Sequence, residues 1–254
     1  MMKCELHLGD CLEVLKTLAD NSIDLVLTDP PYGTTKCKWD SVVPLEPLWA
    51  ELKRVAKPRA AIVMTASQPF TTALISSNLK DFKYCWVWEK EAGTGFLNAK
   101  KMPLKSHEDV VVFYRKQPFY CPQFTKGKPY KIKKGGETDC YNRSGEVLTV
   151  NTGKRYPKTV LKIKRDKNKI HPTQKPVELM AYLVKTYTSK GQTVLDFTMG
   201  SGSTGVAALK NGRRFVGIEK DPLYFKAAKE RLEATQEELL WGLFTGPHVK
   251  KGGE

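Results

Sequence analysis

Four consecutive residues, Asp29, Pro30, Pro31 and Tyr32, place a carboxylate, two prolines and an aromatic ring directly after the apolar run 23–28. Each proline fixes its own φ and lacks an amide N–H, so the Pro30 carbonyl is predicted to point outward as an acceptor beside the Asp29 carboxylate. Two neighbouring acceptors match an NH2 group, and an aromatic face matches the ring that carries it. The pattern therefore predicts a site for the exocyclic amine of a nucleobase.

A second candidate site is rich in glycine. Gly200, Gly202 and Gly205 match the pattern G-x-G-x-x-G, and Glu219 follows at the end of the next apolar segment. Glycines here let the backbone approach a ligand, and the acid is placed to accept hydrogen bonds from ribose hydroxyls. Asp196 stands just before the glycines, where a carboxylate would repel a pyrophosphate. The segment therefore favours a ligand with a cationic amine, such as the methionine part of S-adenosylmethionine, although a glycine turn for close helix packing is the structural alternative.

Two charged residues stand at further element ends. Asp10 follows the first predicted strand and is suited to accept from an adenine amine, although a helix cap would look the same. Lys175 precedes Pro176, which suits a first helical position. A helix N-terminus with a lysine beside it favours an anionic group such as a ligand carboxylate. In the same segment, His171 is equally consistent with a surface residue and Thr173 with a helix cap.

Alternating strand and helix patterns predict how these residues are positioned. Helical periodicity covers 45–55, 177–187 and 222–240. Strands separated by helices predict an α/β fold with a doubly wound, mostly parallel, seven-stranded Rossmann-like sheet, in which ligands bind beyond the carboxyl ends of the strands. The seven predicted strands are 3–8, 23–28, 60–65, 84–88, 110–114, 193–197 and 214–218.

The positive charge is concentrated in one part of the chain. Lysine and arginine total 42 against 27 acids, a net charge of +15, and residues 116–175 alone hold sixteen of these bases and four acids. Aromatic residues are interleaved with the bases. Basic side chains contact phosphates and aromatic ones stack on bases, so this segment is predicted to be an insertion that binds nucleic acid. A solvated basic surface, or a basic loop without a specific role, is the alternative.

Composition argues against several other classes. The six cysteines form no C-x-x-C pair and the four histidines are scattered, so neither a metal site nor a disulfide framework is expected. The sequence has no apolar run of 18 residues and no signal peptide. A cytoplasmic protein without a membrane partner is therefore expected.

These motifs resemble those of the DNA amino-methyltransferases. Their order, with Asp-Pro-Pro-Tyr before the glycine loop and a basic segment between them, resembles the beta class, in which a target-recognition region separates two halves of the methyltransferase domain. The resemblance covers nearly the whole chain. It implies a catalytic half at 1–115, a recognition insertion at 116–170 and a cofactor half at 171–254, and a homodimer, the state that the beta class often forms.

The resemblance also implies an activity. It implies methyl transfer from S-adenosylmethionine to the N6 amine of a flipped-out adenine in double-stranded DNA, in a bacterial cell or a phage-infected host. It assigns catalysis to Asp29, Pro30, Pro31 and Tyr32, and cofactor binding to Asp10, Lys175, Asp196, Gly200, Gly202 and Glu219. The family often has Asn after the tyrosine, whereas here Gly33 is followed by Thr34 and Thr35. The resemblance therefore does not describe the segment after Tyr32, which would form the lid of the active site.

Several other activities remain alternatives. N4-cytosine methylation of DNA uses similar chemistry, but its enzymes more often carry Ser in place of Asp29. Adenine-N6 methylation of RNA fits the basic segment, although the motif order favours DNA. Protein-glutamine methyltransferases usually have the motif Asn-Pro-Pro-Tyr and place the cofactor motif before it, and this chain differs in both features. Asp196 and the Asp-Pro-Pro-Tyr motif disfavour a nicotinamide-dependent oxidoreductase, and the presence of every catalytic and cofactor residue disfavours a non-catalytic subunit.

One further segment has two interpretations. Residues 89–107 follow a predicted strand and contain two glycines and four lysines. This composition suits an active-site loop that covers a flipped base or touches DNA, and it also suits an ordinary surface connection.

Overall fold

A computed structural model of the chain describes residues 3–35, 37, 40–134, 147–167, 170 and 173–245. The chain divides into two compact units, the larger formed by residues 1–121 and 159–254 and the smaller by Pro122–Lys158. Within the described ranges, the strands in chain order are β1 (Cys4–Leu8), β2 (Ile23–Thr28), β3 (Ala56–Ala66), β4 (Phe82–Thr94), β5 (Lys105–Phe113), β6 (Thr125–Lys126), β7 (Tyr130–Lys134), β8 (Val147–Asn151), β9 (Lys154–Arg155), β10 (Val160–Lys162), β11 (Thr193–Asp196) and β12 (Arg214–Glu219). The helices are α1 (Cys11–Thr17), α2 (Leu45–Val55), α3 (Phe70–Ser77), α4 (Val177–Tyr187), α5 (Ser203–Lys210) and α6 (Pro222–Thr245).

The larger unit contains an eight-stranded sheet in the order β1-β12-β11-β2-β3-β5-β4-β10. Strand β5 is antiparallel to both of its neighbours, and the other pairs are parallel. The predicted α/β fold with a mostly parallel sheet is therefore confirmed. The predicted number of seven strands is wrong by one, because the three-residue strand β10 adds to the edge beside β4.

Helices cover both faces of the sheet. Along β2, Leu25 and Leu27 pack with residues of α4, α5 and α6, whereas Ile23 and Val26 pack with residues of α1, α2 and α3. Every residue of β2 is buried. A parallel strand covered on both faces has no need of polar alternation, which is why four of the six residues of this strand are apolar and they alternate with no regular polar face.

The smaller unit consists of two antiparallel ribbons, β6 with β9 and β7 with β8. Arg155 stabilises it by donating to the Lys128 carbonyl and the Asn151 side chain, and its guanidinium lies 4.7 Å from the centre of the Tyr130 ring. Part of the predicted basic insertion, residues 135–146, lies outside the described residues. This unit offers exposed lysines on ribbons rather than on helices.

No helix in the described part of the chain has both the length and the apolar character that crossing a membrane requires.

Close packing of α5 against its neighbours depends on Gly205. A Cβ added there would lie 2.7 Å from both Leu232 Cδ2 and Phe215 Cε1, well inside the roughly 3.5 Å at which carbon atoms attract. We expect Gly205→Ala to lower the free energy of unfolding by about 1–3 kcal/mol, the usual cost of overpacking. Urea denaturation followed by circular dichroism measures it.

The matched control is Gly242→Ala in α6, where an added Cβ meets no atom within 4 Å. Alanine is favoured over glycine in helices by up to about 1 kcal/mol, so this variant should be as stable as the wild type or more stable. A Gly205→Ala protein that gained stability to the same degree would contradict the packing argument.

Candidate active site

A cavity of about 940 Å³ opens at the carboxyl ends of β1, β2, β11 and β12. This is the position expected for a ligand site in an open α/β sheet. Gly202 does not line it; that residue precedes α5 with a φ of +76°. The other nine predicted site residues do line it: Asp10, Asp29, Pro30, Pro31, Tyr32, Lys175, Asp196, Gly200 and Glu219.

Three protein donors hold the Asp29 carboxylate at the end of β2. Its Oδ1 accepts from the Tyr32 hydroxyl at 2.8 Å and from the Thr65 hydroxyl. Its Oδ2 lies 2.8 Å from the Lys175 ammonium. The first residue of the Asp-Pro-Pro-Tyr motif is therefore fixed in orientation and paired with a cation that comes from a distant part of the chain.

Lys175 belongs to a buried network of four charges. Its ammonium also lies 3.2 Å from Glu108, and the other Glu108 oxygen lies 2.5 Å from Lys90. The side chains of Lys175, Glu108 and Lys90 are at most 12% exposed. With Asp29, the network contains two positive and two negative groups, which offsets the cost of burying each of them.

The network shifts the pKa values of Lys175 and Glu108. Burial by itself would lower the pKa of Lys175, but Asp29 and Glu108 outweigh it and raise that pKa above its ordinary value. Burial likewise would raise the pKa of Glu108, but Lys175 and Lys90 together hold it below its ordinary value. Both groups therefore stay charged at neutral pH.

Tyr32 is held on several sides. Its ring is stacked with Phe70, with ring centres 5.4 Å apart and planes at 21°, and the Lys175 ammonium lies 5.5 Å over the ring. Burial, Asp29 and Glu108 raise the pKa of its hydroxyl well above the ordinary value. The hydroxyl therefore remains protonated and continues to donate to Asp29.

The segment after the motif is anchored by Asp40. This carboxylate accepts from the backbone amides of Gly33, Thr34 and Thr35 at 2.8, 2.9 and 2.6 Å. The resemblance did not describe this segment, and the structure gives it a defined turn with Gly33 at a φ of +68°. The turn continues the rim of the cavity, which Thr34, Thr35 and Asp40 line.

The glycine-rich end of the cavity contains a carboxyl group with an unusual affinity for protons. Asp196 accepts from the Thr28 hydroxyl at 2.6 Å and from the Thr198 amide at 3.2 Å. Burial raises the pKa of Asp196 to about 7, even though hydrogen bonds from Thr28, Thr204 and Thr198 act to lower it. A ligand ammonium placed beside this carboxyl would favour its ionised form again.

The other cofactor candidates make local contacts. Glu219 accepts from the Gly200 amide at 2.9 Å and from the Asp221 amide at 2.8 Å. Asp10 caps α1 by accepting from the Leu12 amide at 3.0 Å. The glycine loop and Glu219 are therefore brought together, and Asp10 has the cap geometry that its sequence equally allowed.

The Lys175 side chain lines the cavity. It does stand just before α4, as predicted, but its ammonium faces Asp29 and Glu108. The α4 N-terminus is instead served by Asp166, which accepts from the Val177 amide at 3.3 Å. The structure thus groups Lys175 with the catalytic candidates, while His171 lies outside the described residues.

Sequence reasoning missed Glu108, Lys90 and Thr65, which complete the surroundings of Asp29. They lie on β5, β4 and β3 and belong to no contiguous motif. Within the described ranges, no three histidine, cysteine or acidic side chains are grouped as a metal ion would require.

The chain is similar in sequence to known proteins. The DNA methylase family matches residues 23–230. The type II methyltransferase M.HinfI of Haemophilus influenzae is 30% identical over 263 aligned positions, covering 88% of this chain and 67% of its own length.

Two solved structures share the fold. The complex of M1.HpyAVI with S-adenosylmethionine is 24% identical with a TM-score of 0.63, covering 90% of this chain and all of its own. The PvuII DNA methyltransferase, which is cytosine-N4-specific, is 17% identical with a TM-score of 0.64, covering 94% and 93%.

The buried network makes stability depend on pH through Glu108. Because its folded-state pKa is lowered, its contribution is complete above the unfolded value near 4.3 and is lost as pH falls through the folded value. We expect Glu108→Gln to destabilise the protein at pH 7 by about 3–5 kcal/mol, the cost of breaking a buried pair. Denaturant unfolding should show a smaller difference in unfolding free energy between the wild type and Glu108→Gln at pH 3.5 than at pH 7.

Glu89→Gln is the matched control, because Glu89 pairs at 3.1 Å with Lys162, whose side chain is 77% exposed. An exposed pair contributes at most about 1 kcal/mol, so its loss should be small at both pH values. If Glu108→Gln were destabilised relative to the wild type by the same amount at pH 7 and pH 3.5, the charge of Glu108 would not contribute to stability.

Proposed function

The chain belongs to the N6/N4 DNA methylase family, and on this premise we propose that it transfers the methyl group of S-adenosylmethionine to the N6 amine of adenine at specific sites in double-stranded DNA. The cofactor of this family is S-adenosylmethionine. The observation that carries the proposal is the Asp29 carboxylate, which is held at the cavity between a tyrosine hydroxyl and a lysine.

The cofactor would occupy the glycine-rich end of the cavity. Asp196 would receive the methionine ammonium, which turns a carboxyl with a pKa of about 7 into a stable carboxylate. Both Glu219 oxygens already accept one backbone amide each, and a carboxylate oxygen has a second lone pair. Those lone pairs are available to ribose hydroxyls.

The target amine would bind at Asp29. An ionised carboxylate has about four lone-pair sites, and Tyr32, Thr65 and Lys175 account for three. The remaining site accepts one amine hydrogen, and the Pro30 carbonyl accepts the other. These two bonds draw the nitrogen towards tetrahedral geometry and localise its lone pair, which is otherwise delocalised into the ring.

With S-adenosylmethionine bound at the glycine-rich end, its sulfonium would supply the methyl group. Asp29 and Pro30 would hold the amine lone pair in line with the methyl carbon while the bond from that carbon to sulfur breaks and sulfur keeps the electron pair. Positioning and preorganised charge supply most of the acceleration. The methylated nitrogen carries a positive charge, which the Asp29 carboxylate stabilises until the amine proton is lost to solvent. Tyr32, Thr65 and Lys175 hold the Asp29 carboxylate in place as a hydrogen-bond acceptor.

Adenine is favoured over cytosine because the first motif residue is Asp rather than Ser. The target amine of a duplex is stacked and paired, so the base must be flipped out at a cost that phosphate contacts help to offset. We infer that the basic residues of 116–170 supply these contacts. By analogy with M.HinfI, a type II methyltransferase, the methylation would be site-specific and would take place in the bacterial cytoplasm.

The central test is Asp29→Ala, together with Asp29→Asn, which keeps the shape and removes the charge. We expect kcat to fall by about 100- to 1000-fold or more, as when one preorganised group is removed from a transition state. DNA affinity should be retained. Mass spectrometry of nucleosides from DNA incubated with enzyme and S-adenosylmethionine measures N6-methyladenine, and fluorescence anisotropy measures binding.

Asp20→Ala, which removes a carboxylate that is 67% exposed, serves as the control and should leave turnover unchanged. If the product were N4-methylcytosine and not N6-methyladenine, the mechanism would stand and the target base would be cytosine. Near-normal turnover by Asp29→Ala would refute the mechanism.

DNA affinity should depend steeply on salt. A protein that contacts 6–10 phosphates loses roughly 10³- to 10⁵-fold in affinity between 50 and 200 mM salt. Lys126 and Lys131 are exposed on β6 and β7, so replacing both with alanine should reduce the slope of log Kd against log salt by about 1.8. Lys16→Ala, on α1, is the control. If log Kd of the wild type did not change with log salt, the basic segment would not be contributing phosphate contacts to DNA binding.

A further inference from the structure

The connection between β4 and β5 exposes a cluster of large apolar side chains. We call residues 96–104 the apolar loop. Leu97 is fully exposed and Phe96 is 71% exposed, followed by Met102 at 58% and Leu104 at 36%. Soluble proteins expose contiguous apolar groups of this kind chiefly where a partner covers them.

The apolar loop has a defined turn at its start. Gly95 has a φ of +91° and its carbonyl accepts from the Asn98 amide at 2.9 Å. The Asn98 carbonyl in turn accepts from the amides of Lys101 and Met102 at 2.8 and 3.0 Å. The loop therefore satisfies part of its own backbone while its apolar side chains remain in water.

The apolar loop stands at the rim of the cavity. Thr94 and Lys105 are paired across β4 and β5 at its two ends, and both line the cavity together with Lys90 and Glu108. A base that entered the cavity from a duplex would leave its gap in the stack close to this rim.

The charge around the loop identifies the kind of partner. Residues 92–107 contain Lys100, Lys101 and Lys105 and no acid, and the whole chain carries +15. A second copy of this chain would bring like charge to the loop, whereas DNA brings phosphates. The apolar surface that a duplex offers lies between its base pairs, and proteins reach it by inserting Phe, Leu, Met or Pro between steps.

We propose that the apolar loop is a wedge, with Phe96 and Leu97 entering the base stack next to the target base and filling the space that the base leaves. Lys100 and Lys101 would contact the flanking phosphates. This inference rests on the proposed function, because it assigns the partner of the same cavity. The wedge acts on base flipping and not on methyl transfer.

The test compares two duplexes that differ only opposite the target adenine, which is paired with thymine in one and faces an abasic site in the other. The variant is Phe96→Ala/Leu97→Ala. Because an unpaired base costs less to flip, kcat/KM should fall by about 30-fold or more on the paired duplex and by less than about 3-fold on the abasic duplex. Leu79→Ala, which alters a side chain that is 67% exposed before β4, is the control and should change neither.

A second readout separates the wedge from the chemistry. With 2-aminopurine at the target position, the wild type should raise its fluorescence on binding, and the double variant should raise it several-fold less. Equal losses on both duplexes, no loss on either, or a change from dimer to monomer in sedimentation would overturn the wedge. A wild-type fluorescence rise that the double variant loses, without any methylated adenine in the DNA, would support the wedge and remove the proposed chemistry.

Discussion

The ion pair between Asp29 and Lys175 is the contact on which the site depends. It joins the end of β2 to the segment before α4 at 2.8 Å, across 146 residues of sequence. The Lys175 side chain is only 8% exposed, and a buried charge without a partner is strongly destabilising. The pair with Asp29, together with that of Lys175 and Glu108, therefore supplies the charge partners that Lys175 needs in its buried position.

Lys175 also connects Asp29 to strands β5 and β4, which lie beyond β3 in the sheet. Glu108 on β5 and Lys90 on β4 complete the charge balance, so three successive ion pairs connect Asp29 to the strands that lead into the apolar loop. This explains why β4 and β5 continue past their apolar cores into polar residues: their outer halves present charges to the cavity. The same outer halves hold the apolar loop at its rim.

Two hydroxyl groups connect the glycine-rich end of the cavity to the motif. Thr28 donates to Asp196 at 2.6 Å and lies 2.7 Å from the Thr198 hydroxyl, which is 3.2 Å from the Asp29 carbonyl. The hydroxyls of Thr28 and Thr198 therefore link the Asp196 carboxyl group at the cofactor end of the cavity to the backbone of Asp29.

Both motifs and most of the sheet were predictable from the amino-acid sequence. Asp29, Tyr32 and Asp196 stand beside largely apolar runs, and strands buried on both faces are recognisable because most of their residues are apolar. Only the tertiary structure added β10, gave Lys175 its place beside Asp29 and recruited Glu108, Lys90 and Thr65. Periodicity reports the local environment of a residue, whereas these contacts depend on which strands become neighbours, and that is decided by packing and charge balance across the whole domain.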